Sequence, residues 1–152
     1  MDPLQMLEKE HDDIEAMFAR IVKMDGAPAR HVFLDIKAQL RIHQELEQTY
    51  LYPPLRQDES ARDVALEGLE EHHVMDLLID EINELKPKDE AWLPKLKVLR
   101  LLLDHHMQDE EQHLFPRART LWDEDKCRHV ARSMEELKAR RRRELELAPS
   151  NA

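Results

Sequence analysis

Cysteine is almost missing from this chain of 152 residues. The single one, Cys127, cannot form an internal disulfide, so a reducing compartment is the expected setting. Glycine is nearly as scarce: Gly26 and Gly68 alone cannot supply the turns of a β-sandwich or barrel, which argues against an all-β fold. Excess positive charge is missing too. Lys and Arg total 23 against 33 Asp and Glu, a formal net charge of −10, which speaks against nucleic acid or an anionic membrane as a partner. No apolar run is long enough to span a bilayer. The opening Met1–Glu10 carries acids where a secretory signal needs a basic and then an apolar stretch, so a soluble, cytoplasmic protein is expected. What remains is a chain 41% hydrophobic and 37% charged, dominated by helix-forming residues and able to bury one core.

Prolines and polar clusters divide it into five helical segments. Asp2-Pro3 reads as an N-cap with proline in the first turn of a helix running to about Met24, where Asp25-Gly26-Ala27-Pro28 ends it. A second helix is expected from about Arg30 to Leu51, halted by Pro53-Pro54. A third ends near Leu85, and a fourth spans about Ala91 to Leu114, stopped by Pro116. A fifth starts near Asp123 with Cys127, Val130, Met134 and Leu137 on one face, then runs into a charged Lys138–Glu146 stretch and a loose tail. Short connections between long helices predict an all-α fold: an antiparallel up-down-up-down four-helix bundle over residues 1–120, with a C-terminal helical extension over 121–152.

The core-facing stripes stop being apolar halfway along. In the first helix the stripe is Leu4, Leu7, His11, Ile14, Phe18 and Ile21; in the second it is Phe33, Ile36, Leu40, His43, Glu47 and Tyr50. Both follow the 3-4 spacing of a helix face turned to a bundle interior. A shift of 61 residues turns the first stripe into Ala65, Gly68, His72, Met75, Ile79 and Ile82. A shift of 63 turns the second into Leu96, Leu99, Leu103, His106, Glu110 and His113, and Pro53 and Pro116 match as well. Two helix pairs therefore each deliver a His and a His-x-x-x-Glu to one interior. Buried ionisable groups need partners or a metal, and imidazoles with bridging carboxylates suit a metal pair.

Spacing by itself would not carry that reading. Six of the nine histidines have an acid four residues later, and acids are abundant; His31–Asp35 is expected to be a surface pair because it lies far round the helix from His43. Phase and duplication discriminate. His72 is preferred to His73 because His73 would drive Asp76, Asp80 and Asn83 into the core, and His106 is preferred to His105 because it gives the cleaner stripe. A rival carboxylate-rich scheme, Glu8 with His11 and Glu70 with His73 alongside Glu47 and Glu110, leaves His43 and His106 unexplained at inward positions. Tyr50, His113, Glu15 and Asp76 lie one turn from these residues and read as hydrogen-bonding or packing neighbours. The Lys138–Arg143 run is flanked by glutamates and has no interleaved aromatics, so it reads as a helix end or a solvated face.

The halves Glu-His-Asp-Asp-Ile…His-Gln-Glu-Leu-Glu…Tyr-Pro-Pro-Leu and Glu-Glu-His-His-Val…His-Met-Gln-Asp-Glu-Glu…Phe-Pro resemble the hemerythrin-like HHE cation-binding family over about residues 4–117. The resemblance implies a non-haem di-iron centre. His11 and His43 would ligate one iron, His72 and His106 the other, and Glu47 and Glu110 would bridge them together with an oxo, hydroxo or water ligand. Zinc or manganese are possible substitutes. Oxygen-carrying members have a further histidine one turn after the third-helix ligand, where this chain has Asp76. Six ligands, or seven with Asp76, keep several functions open: binding of dioxygen or a related oxidant, turnover of hydrogen peroxide or nitric oxide, and iron or oxygen sensing through the C-terminal helix.

Overall fold

A computed structural model describes residues 1–147, and the described residues are helical throughout, with no strand among them. The Ala148–Ala152 tail expected from sequence lies outside them. Helix α1 (Pro3–Ile21) opens with a reciprocal cap: Asp2 Oδ1 accepts from the Gln5 amide at 2.8 Å, and Gln5 Oε1 accepts from the Asp2 amide at 3.1 Å. Helix α2 (Gly26–Leu46) begins earlier than the expected Arg30, because Gly26 takes a φ of 63° and Pro28 fits the first turn.

The prolines do not end the second and fourth segments as expected. After α2 the chain widens into a π-helical turn, Glu47–Leu51, in which the Tyr52 amide donates to the Glu47 carbonyl, and continues as α3 (Tyr52–Arg56). The long helices α4 (Arg62–Asn83) and α5 (Trp92–Asp109) follow. A second π turn, Glu110–Leu114, then has the Phe115 amide donating to the Glu110 carbonyl and leads into α6 (Phe115–Leu121). Each π turn stands directly before a proline-bearing turn, so the extra residue resets the hydrogen-bond register where Pro53 or Pro116 has no N–H to give.

Helix α7 (Glu124–Leu147) packs on α1 and α2, while α1 pairs with α2 and α4 with α5. Two apolar clusters fill the bundle. One gathers Leu4, Leu7, Leu46, Leu51, Leu55 and Phe115 with Val130, Met134 and Leu137 of α7. The other gathers Ile14, Phe18, Leu40, Met75, Ile79 and Leu103 with Trp92. Cys127 is half-buried against the first cluster. The charged run is more than a solvated face: Lys138 pairs with Glu10, and Arg141 makes a two-pronged contact with Glu45 at 2.7 and 2.8 Å, pinning α7 to the bundle. No helix among the described residues is long and apolar enough to cross a membrane.

Candidate metal centre

Between the two apolar clusters lies a belt of ionisable side chains. His11, His43, Glu47, His72, His106 and Glu110 are all buried, and the structure brings all six together. His73 and His113 are exposed, as is His31. Glu70 of the rival scheme is exposed as well, and Glu8 pairs with Arg119 on the surface.

The two carboxylates each span two pairs of imidazoles. Glu47 turns Oε2 to His43 Nε2 at 3.2 Å and His11 Nε2 at 3.8 Å, and turns Oε1 to His72 Nε2 at 3.1 Å and His106 Nε2 at 3.8 Å. Glu110 turns Oε1 to His11 Nε2 at 3.1 Å and Oε2 to His106 Nε2 at 3.2 Å. Donor atoms of His11, His43, Glu47 and Glu110 lie within 4.8 Å of one another, and so do those of Glu47, His72, His106 and Glu110. The two groups share both carboxylates.

A metal fits this set on the structure's own terms. His11 Nε2, His43 Nε2, Glu47 Oε2 and Glu110 Oε1 are buried and make no hydrogen bond. Such orphaned atoms are costly, and here they all point into one space. His72 Nε2 and His106 Nε2 stand only 3.0 Å apart, although Nδ1 of His106 already donates to Glu71. A ring so held turns Nε2 towards its neighbour, and a cation that displaces the proton there would take up the lone pair.

The electrostatics demand positive charge at the same place. Burial pulls the imidazoles down, but Glu110 and Glu47 outweigh it and lift His11 to about 9. Against the same burial, Glu47 and Glu10 lift His43 to about 10, and Glu110, Glu47 and Glu71 lift His106 to about 12. Burial would raise Glu47, yet His43, His106 and His11 together hold it well below the carboxylate range. Glu47 thus stays ionised in the interior and requires protons or metal ions opposite it.

The outer contacts of the imidazoles are duplicated too. His43 Nδ1 donates to Glu10 at 2.7 Å, and His106 Nδ1 donates to Glu71 at 2.7 Å; the 61-residue shift relates the two acids. The Gln48 amide lies 2.9 Å from His72 Nδ1, and Glu111 lies 3.4 Å from His11 Nδ1, a pair related by the 63-residue shift. These four contacts escaped the sequence reading, although its own offsets point to them. The acids it did single out face elsewhere: Glu15 binds Arg100, and Asp76 lies on the flank, 4.0 Å from Arg41 Nε. Asp76 is not among the donor atoms that converge on the centre.

Tyr50 packs, partly buried, against the first apolar cluster and is not the phenol at the centre. The buried phenol is Tyr52, whose hydroxyl donates to Glu110 Oε2 at 2.7 Å and lies 3.4 Å from His106 Nε2. Burial and the charges of Glu110 and Glu47 push its ionisation well above the ordinary value, so it stays a donor. Its counterpart under the 63-residue shift is Phe115, stacked on His11 with ring centroids 5.7 Å apart, which has no hydroxyl to offer Glu47. The two ends of the centre therefore differ.

A buried set of four imidazoles and two carboxylates on a helical scaffold defines a metal-binding bundle. The sequence matches the Hemerythrin HHE cation binding domain over residues 2–118, and the chain belongs to that family. A crystal structure of a hemerythrin HHE cation binding domain-containing protein from Mycobacterium kansasii is similar in fold, with a TM-score of 0.75 at 14% identity, covering 97% of this chain and 93% of that one. No curated protein sequence matches.

Proposed function

We propose that this protein is a non-haem di-iron protein that binds dioxygen or a related small oxidant in the cytoplasm, with four long helices alternating in direction around the metals. His11 and His43 would hold one iron and His72 and His106 the other, with Glu47 and Glu110 shared between them. The observation that carries this reading is the division of each carboxylate between two imidazole pairs, because a single metal would leave one pair unserved. Imidazole and carboxylate donors suit iron, with zinc or manganese as substitutes.

When bound, a ferrous pair would supply the two electrons that a small oxidant needs. The chain's own residues supply the surroundings. Leu7, Phe18, Leu40, Ile79 and Leu103 are buried around the belt and exclude water, which limits proton leakage. Glu10, Glu71, Gln48 and Glu111 orient the four rings from outside. The Tyr52 hydroxyl, fixed on Glu110, provides an O–H donor at the His72–His106 end alone.

That asymmetry favours a second reading, turnover of hydrogen peroxide or nitric oxide, because two unlike ends give a substrate one preferred place to bind. Metal analysis and an optical spectrum test the first claim: two irons per chain with near-ultraviolet oxo-bridge absorption are expected, and one metal per chain would overturn it. Rapid mixing of the reduced protein then separates the readings. A stable, reversible oxygen adduct supports binding, whereas sustained peroxide consumption supports an enzyme.

A further inference from the structure

The internal duplication relates Glu10 to Glu71, Ile42 to His105 and Leu46 to Asp109. On the first half this surface is sealed. Ile42 and Leu46 share an apolar cluster with Val130, Met134 and Leu137 of α7, and Glu10 divides its oxygens between His43 and Lys138. On the second half the same surface is open, with the His105 side chain 65% exposed, and both apolar positions have become groups able to bind metal.

We propose that Glu71, His105 and Asp109 form a second, solvent-facing site for a divalent first-row metal ion, distinct from the buried centre. His105 Nε2 lies 3.1 Å from Asp109 Oδ2 and 3.6 Å from Glu71 Oε2, and one donor atom from each of the three lies within 4.8 Å of the others. An ion about 2.0–2.2 Å from an imidazole nitrogen and two carboxylate oxygens fits such separations with small side-chain adjustments. His105 and Asp109 are one turn apart on α5, and Glu71 reaches across from α4. Glu71 is already oriented, since its other oxygen accepts from His106 Nδ1 at 2.7 Å. The outer ion thus sits one carboxylate away from the buried rings, on the side that α7 leaves uncovered. Water completes its coordination. One nitrogen and two oxygens suit zinc, ferrous iron or manganese.

An ordinary helix-surface ion pair between His105 and Asp109 would need no metal, and counting ions separates the two cases. The full chain, stripped of metal, is dialysed to equilibrium against micromolar zinc, as wild type and as the double variant His105→Ala/Asp109→Asn. Both positions lie outside the core, so the helix is retained, which circular dichroism checks. The variant is expected to bind one zinc equivalent fewer than wild type. That difference does not depend on the buried centre: with the centre competent both counts include its ions, and with it incompetent the wild type still binds one and the variant none. Equal counts in the two proteins overturn the proposal.

Discussion

Glu10 shows how much of the centre's behaviour is decided by a residue that touches no metal in the proposed arrangement. Its Oε1 fixes the His43 ring, and its Oε2 carries Lys138 from the C-terminal helix. A carboxylate on Nδ1 fixes the tautomer and strengthens Nε2 as a donor, and losing such a contact weakens metal binding about 10–100-fold. Glu10→Gln should therefore lower metal affinity by about that factor while the bundle stays folded, as read by competition with a chromophoric chelator. Unchanged affinity would reduce Glu10 to packing. A second consequence concerns protons. His11, His43 and His106 are lifted to about 9, 10 and 12, so the metal-free protein carries a proton on each of these three rings at neutral pH. Metal needs them neutral, so the folded apo-protein binds more protons than the loaded one and affinity must rise with pH. Loading near pH 7 should release about one proton per lifted ring, measurable with an indicator in weak buffer. Loading without proton release would show that the rings are neutral beforehand.

At the scale of the element, the π turns decide what faces the centre. An α-helix advances 100° per residue, and on that count Tyr50 points inward beyond Glu47. The wider turn at Glu47–Leu51 advances less per residue, so the phase slips and Tyr52 takes the inward place. The proline pattern was visible in the sequence; its outcome was not, because the same residues can stop a helix or be absorbed by a wider turn. The duplicated His and Glu positions were legible because they lie before the slip, where α-helical phase holds. Glu10, Glu71, Gln48 and Glu111 were not, because sequence does not separate an acid or amide held against a ring from a solvated one in a chain with 33 acids.

Gly68 belongs to the same local arrangement. A Cβ there would stand 2.5 Å from the Tyr52 hydroxyl oxygen and 2.9 Å from Cε1, so the phenol occupies the space a side chain would take. Gly68→Ala should displace the ring, break its bond to Glu110 and destabilise the fold by about 1–3 kcal/mol, the usual cost of overpacking. Combining it with Tyr52→Leu, which removes the far end of the ring, should recover part of the loss in a denaturant titration. A neutral Gly68→Ala would mean that the ring has room to move.

For the whole molecule, the belt of buried charge is the weak plane of the bundle when it lacks metal. The two apolar clusters lie on either side of it, joined through the helices that carry His11, His43, His72 and His106. Four buried donor atoms in the belt make no hydrogen bond, and each such orphan costs stability on its own. A ligand that binds only the folded state stabilises it by about 4 kcal/mol when present at a thousand times its dissociation constant. At this chain length each kcal/mol moves the melting temperature by about 2–4 °C, so stripping the metal should lower it by about 10 °C. Helix content should survive at room temperature, because the clusters on both sides are complete without the belt. Calorimetric scans of loaded and chelator-treated protein test this. Coincident transitions would mean that the six side chains satisfy one another through shared protons and that metal adds nothing to the fold; a separation of the expected size would make the belt a folding element as well as a binding site.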